Sequence, residues 1–196
     1  MTLTPNISFQ KWHIIGWVTL FVSLMVGAIW LINGLGETGM RIAIRLTARS
    51  SCLLFLLAFL GSTLATLWPT AWTQWLSQNR RYFGLSFAVS HAWHAIAIGG
   101  LAVVSSGKAM SYSPGGMLGY LFIGFMSATS FDRARAWLGG RPWQILHTVG
   151  AYYLWLAFFI SFGKKWAIAP IYPLMTGLLA IAMMLRIGRY ISCHKH

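Results

Sequence analysis

The sequence predicts an all-α, polytopic membrane protein built as a bundle of six transmembrane helices. Three observations carry that prediction. Of the 196 residues, 57% are hydrophobic and only 9% are charged. A soluble domain carries about 25% charged residues, so this chain cannot cover a water-facing surface. Six apolar runs reach or approach the roughly 20 residues that cross a bilayer. Alternation with period two is absent, and backbone in lipid must satisfy its own hydrogen bonds within a helix or a closed barrel.

The runs are residues 13–32, 46–68, 84–104, 116–131, 143–162 and 167–185. The first follows a polar start, residues 1–10, and no small-residue cleavage site comes after it, so a retained span is expected rather than a signal peptide. The second carries Cys52; with Cys193 in the terminal tail, the two cysteines form no framework and are expected as free thiols. The third holds "SHAWHAIAIGG", residues 90–100, two histidines in an apolar run. The fourth is short and starts at "SPGG", which predicts a thin or tilted span. The fifth contains His147, and the sixth leads into the polar tail "SCHKH". Connections are short and no linker or repeat is visible, so residues 1–196 are expected as one domain.

Charge adds orientation. Two acids, Glu37 and Asp132, stand against 15 Lys and Arg. A charge of +13 can point to nucleic acid. Here the basic residues lie in short pieces between apolar runs, so no nucleic acid is expected; lipid headgroups and topology are. Six spans put both termini on one side. That side holds nine cations: Lys11, Arg80, Arg81, Arg133, Arg135, Arg141, Arg186, Arg189 and Lys195. The other side holds six: Arg41, Arg45, Arg49, Lys108, Lys164 and Lys165. The bias predicts both termini inside. Trp12, Trp68, Trp72, Trp75, Trp137, Trp143 and Trp166 fall near run ends, where an aromatic belt forms.

Chemistry narrows to histidine. An imidazole in hydrocarbon is costly unless paired, so His91, His94 and His147 are the functional candidates. His13 lies at a span edge, and His194 and His196 lie in the tail. His91 and His94 share a helix face. Histidines on two helices of a bundle can clamp one haem iron. At 1.5 Å per residue, His91 lies about 10 Å beyond Gly84, His94 about 15 Å, and His147 about 6 Å beyond Trp143. That scale matches His91 to His147 better than His94, and leaves both open. Other chemistries lack parts. Zinc needs a third or fourth ligand. No Ser or Cys sits in a nucleophile elbow, and two distant acids make no carboxylate pair. The loops "NGLGETG" and "SPGG" lack the strand and helix of a phosphate-binding loop. Histidines that only bridge helices are the bland alternative.

Two stretches carry a resemblance. "RRYFGLSFAVSHAWH" has Arg80 and Arg81, then Gly84 and Leu85, and His94 thirteen residues after the second Arg. "ATSFDRARAWLGGRPWQILH" has Thr129 and Ser130, Leu138 and Gly139, then Trp143, Leu146 and His147. Together they resemble the ferric reductase-like transmembrane family, and within it the haem-binding membrane subunits of bacterial methionine sulfoxide reductase systems. The resemblance covers about residues 46–162. It implies b-type haem held by histidines of the third and fifth spans, in a bacterial inner-membrane protein. Carried over by position, His94 and His147 match the ligands; His91 is at no motif position. Arg80, Arg81 and Arg141 are candidates for the haem propionates, or simply for topology. Family members with two haems usually have a second fifth-span histidine about thirteen residues on; Ile160 and Ser161 stand there. One haem is therefore expected, with His91 or His94 opposite His147.

No flavin or nicotinamide domain is present, so electrons would come from quinol, a separate flavoprotein or a neighbouring subunit, and pass to a redox partner protein. Quinone is then a second candidate cofactor. The chain is at most the electron-transfer subunit of an oxidoreductase. The incomplete histidine set and small loops leave a second expectation, a non-catalytic accessory subunit of a larger membrane complex that has lost haem.

Overall fold

Pro69 and the positive-φ glycines Gly34, Gly107 and Gly139 punctuate a chain that is otherwise almost continuously helical. The computed structural model describes residues 11–107 and 114–193. Residues 1–10, Lys108, His194, Lys195, His196 and the side chain of Cys193 lie outside this description. The described residues form α1 (Trp12–Asn33), α2 (Glu37–Leu67), α3 (Ala71–Val104), α4 (Pro114–Ala128), α5 (Asp132–Leu138), α6 (Gly140–Gly163) and α7 (Ile171–Cys193). No strand occurs among them.

Five helices, α1, α2, α3, α6 and α7, are long and apolar enough to cross a membrane. The sequence predicts six. The difference is α4, whose 15 residues rise only about 22 Å against a hydrocarbon core of about 30 Å. Exposure is inverted relative to a soluble protein. Leu31, Ile32 and Val103 are more than four-fifths exposed, while Thr47, Ser51, Ser86 and Ser90 are fully buried. Lipid, as apolar as Leu, is the solvent that suits such a surface.

Two helix starts lie well before the apolar runs. α2 begins at Glu37, not at residue 46, because the first turn suits the helix dipole and Glu37 accepts from Arg41 one turn on, 2.8 Å from Nε. α3 begins at Ala71, not at residue 84. Thr70 caps it: the Thr73 N–H donates to Thr70 Oγ1 (3.3 Å), and the Thr70 N–H donates to Thr73 Oγ1 (3.0 Å). An apolar run marks only the lipid-contacting part of a helix.

A short helix, α5, also lies where only a loop is expected. Gly139 makes it possible. At φ 85° and ψ 158° it adopts a conformation essentially reserved for glycine. Its N–H donates to Arg135 O while α6 begins at the next residue.

Contacts divide the chain into two compact units. The first comprises residues 11–55 and 82–107. There α2 and α3 run antiparallel in a close register of small residues. A side chain at Gly100 would strike Met40; Ala43 and Ala97 are fully buried together with Ile29 of α1; Phe55 meets Phe87 edge-on at 5.6 Å. Trp30 of α1 packs on Trp93 at 5.9 Å.

The second unit comprises residues 56–81 and 114–193. α6 is its centre, with α4, α5 and α7 against it. Its stripe Gly150, Leu154, Phe158 and Phe162 recurs every four residues and is buried. Side-chain donors stitch the helices through otherwise spare carbonyl lone pairs. Tyr153 Oη donates to Gly115 O (2.7 Å) and Trp155 Nε1 to Leu179 O (2.9 Å). Arg186 of α7 donates to Phe59 O at 3.1 Å, its guanidinium lying over Phe59 at 4.2 Å and Tyr152 at 5.0 Å.

Candidate functional site

His94 projects from α3 onto the first turns of α2. Its Nδ1 lies 3.1 Å from the Ile44 carbonyl oxygen and 3.1 Å from Thr47 Oγ1. Proton counting fixes the roles. A carbonyl can only accept. The single Thr47 hydroxyl proton goes to Ala43 O at 2.6 Å, so Oγ1 also accepts from the ring. His94 Nδ1 therefore carries a proton and donates to both. Two acceptors one turn apart hold the ring plane.

A hydroxyl ladder continues below. Ser51 donates to Ser90 Oγ at 3.0 Å. Ser50 spends its proton on Thr47 O at 3.1 Å, so its contact with Ser90 (2.9 Å) is made by the Ser90 proton. The chain of donors thus runs Ser51, Ser90, Ser50, Thr47 O. His91, one turn before His94, packs its ring on Phe87 (5.4 Å) and on His94 (5.0 Å, tilted by 30°).

His147 sits in the second unit, on α6, and is held differently. Its Nε2 lies 3.1 Å from Thr129 Oγ1, and that hydroxyl donates to Phe125 O at 2.7 Å. The ring therefore donates through Nε2, leaving its lone pair on Nδ1. Trp143 stacks on the imidazole at 4.4 Å and donates through Nε1 to Thr129 O at 2.9 Å. The Arg135 guanidinium covers the same indole at 4.6 Å. The cations that act on His147 across space are Arg80 and Arg135.

The sequence-predicted arginines part ways. Arg80 belongs to the His147 neighbourhood. Arg81 is committed to Asp132 at 2.9 Å. Arg141 lies at the start of α6, beside a cleft with Phe122 of α4. His13 is exposed, and Cys52 is a fully buried free thiol. Of the residues that orient the histidines, Thr129 and Trp143 enter the sequence reading as motif positions of the resemblance, and Thr47, Ile44 and Arg135 are not candidates on sequence grounds. A signal for part of them exists: Thr47, Ser50 and Ser51 lie at i, i+3 and i+4, and Ser86, Ser90 and His94 recur every four residues.

Comparison of this chain with known protein families, characterised proteins and solved structures finds no match.

Proposed function

We propose that this chain is a b-type cytochrome subunit of the bacterial inner membrane, with six spans, both termini inside and one haem. It relays electrons from quinol or a separate flavoprotein to a redox partner. The observation that supports the reading most is the clamp on His94. Metal-ligating histidines usually donate their second ring nitrogen to a carbonyl or carboxylate, which fixes tautomer and orientation. His94 has that arrangement at Ile44 O and Thr47, and it stands at the motif position of a family ligand. The group would supply one-electron chemistry; the protein sets ligand geometry, burial and nearby charge. The resemblance assigns haem ligation to His94 and His147, and Arg80, which acts on His147 across space, is the proposed propionate partner. His147 must exchange its Thr129 bond before Nε2 is available.

The test is an absorption spectrum of the purified protein, oxidised and dithionite-reduced, with haem counted per chain. One haem per chain with reduced b-type bands is expected. His94→Ala and His147→Ala should abolish it, and His91→Ala should keep it. A colourless protein, or full haem content in His147→Ala, overturns the ligand assignment.

The second reading, an accessory subunit without haem, is favoured by the Thr129–His147 bond, which ties down the nitrogen that an iron would use. It predicts a colourless chain that purifies at fixed stoichiometry with a partner protein.

A further inference from the structure

The second unit carries a cleft of about 490 Å³ between α4 and α6, walled by Phe122, Pro142, Ile145, Leu146 and Val149, with Arg141 at one end. On α6 these residues fall at i, i+1, i+4, i+5 and i+8, one face of two turns. The apolar wall therefore runs about 12 Å along the helix axis from the arginine. Arg141 stands in the first turn of α6, between Trp137, 87% exposed, and Trp143. Tryptophans mark the height of lipid headgroups. A cation at headgroup height beside an open apolar groove along the helix, where Ile145 and Val149 are about half exposed, offers a place to one headgroup and one acyl chain.

Charge decides which phospholipid. The whole chain has two side-chain carboxylates. Glu37 is taken by Arg41 and Asp132 by Arg81. Among the described residues, neither carboxylate is left for Arg141, so an anion that meets it is sought outside them. We propose that this cleft is a binding site for an anionic phospholipid of the bilayer. Its phosphate meets Arg141 and one acyl chain lies along Ile145, Leu146 and Val149 against Phe122. A net-negative headgroup is preferred because a zwitterionic one brings its own cation to the same place.

Native mass spectrometry of the full-length protein in detergent tests this, with phosphatidylglycerol and phosphatidylcholine of identical acyl chains added in turn. The expected result is one tightly retained phosphatidylglycerol per chain. Arg141→Gln should weaken retention about fivefold, the worth of one basic residue against an anionic surface. Arg141→Lys should restore most of it. Val149→Trp, which keeps the charge and fills the channel, should also lose the lipid. Equal retention of both lipids, or unchanged retention in Arg141→Gln and Val149→Trp, overturns the proposal. So does recovery of a quinone in place of phospholipid, displaced by Val149→Trp. Each variant is scored only on the monodisperse fraction, and Arg45→Gln, on α2, serves as the control that should change nothing.

Discussion

Thr47→Val is the substitution that separates an oriented ligand from a helix-bridging histidine. It keeps the volume of a fully buried side chain and removes a single oxygen. That oxygen accepts from His94 Nδ1 at 3.1 Å and donates to Ala43 O at 2.6 Å. The second acceptor, Ile44 O, is main chain and remains. The ring thus keeps its tautomer and loses one of its two points of hold. Interhelical hydrogen bonds in membranes average about 0.6 kcal/mol, so the fold should lose about that much. Partners that orient a metal ligand are worth about 10- to 100-fold in affinity. With Ile44 O still in place the lower end applies, a haem affinity about tenfold weaker. Titration of apo-protein with haem, followed at the Soret band, reads the affinity. Denaturant unfolding in the same detergent reads stability. A haem affinity equal to that of the parent protein, with the stability loss present, would refute the role given to His94.

Three further substitutions probe the same architecture. Ser90→Ala removes an acceptor for Ser51 and a donor for Ser50. Unfolding in detergent should show a loss of about 1–2 kcal/mol, twice that of Ser51→Ala; equal losses would mean that the ladder is not directional. Gly139→Ala forces a Cβ into a glycine-only conformation between α5 and α6, and should cost about 1–3 kcal/mol; an unchanged unfolding midpoint would count against this turn. Thr129→Val frees His147 Nε2 from its one hydrogen bond. If that nitrogen serves iron, haem binding should tighten about three- to fivefold, the equivalent of one such bond. If His147 only bridges helices, the variant loses stability and haem titration is unmoved.

The helical class was legible because lipid leaves no other choice for the backbone and because nine per cent charge leaves no other solvent. Helix ends were less legible. Hydropathy reports which residues lipid touches, whereas α2 and α3 continue through the polar turns around Arg41–Arg49 and Trp72–Arg81, where caps and i,i+4 pairs decide. α5 depends on the φ of a single glycine, which no periodicity announces. Within the site, the histidines were visible as costly residues in apolar runs. What fixes them was not. Ile44 acts through its carbonyl, so its side chain says nothing; Arg135 lies on α5, which has no helical register with His147, and Thr129, just after α4, showed only as a motif position. The hydroxyls at 47, 50, 51, 86 and 90 were readable in principle. They repeat at helical spacing on two neighbouring runs, as small polar residues do where membrane helices approach closely.

The two histidines at the motif positions are chemically opposite in the way they are held. His94 donates from Nδ1; His147 donates from Nε2. A histidine that merely joins two helices needs one bond from either nitrogen, and His147 has that: one hydroxyl, with Trp143 stacked behind it. His94 shares one proton between two acceptors one helical turn apart, Ile44 O and Thr47 Oγ1. A second acceptor adds little attachment, because the proton is divided. What it adds is direction, since the ring can no longer rotate about a single bond without losing the other contact. The spacing of His91 and His94 makes them look equivalent in sequence; in the structure His94 meets Ile44 O and Thr47 Oγ1, and His91 packs on Phe87 and on His94.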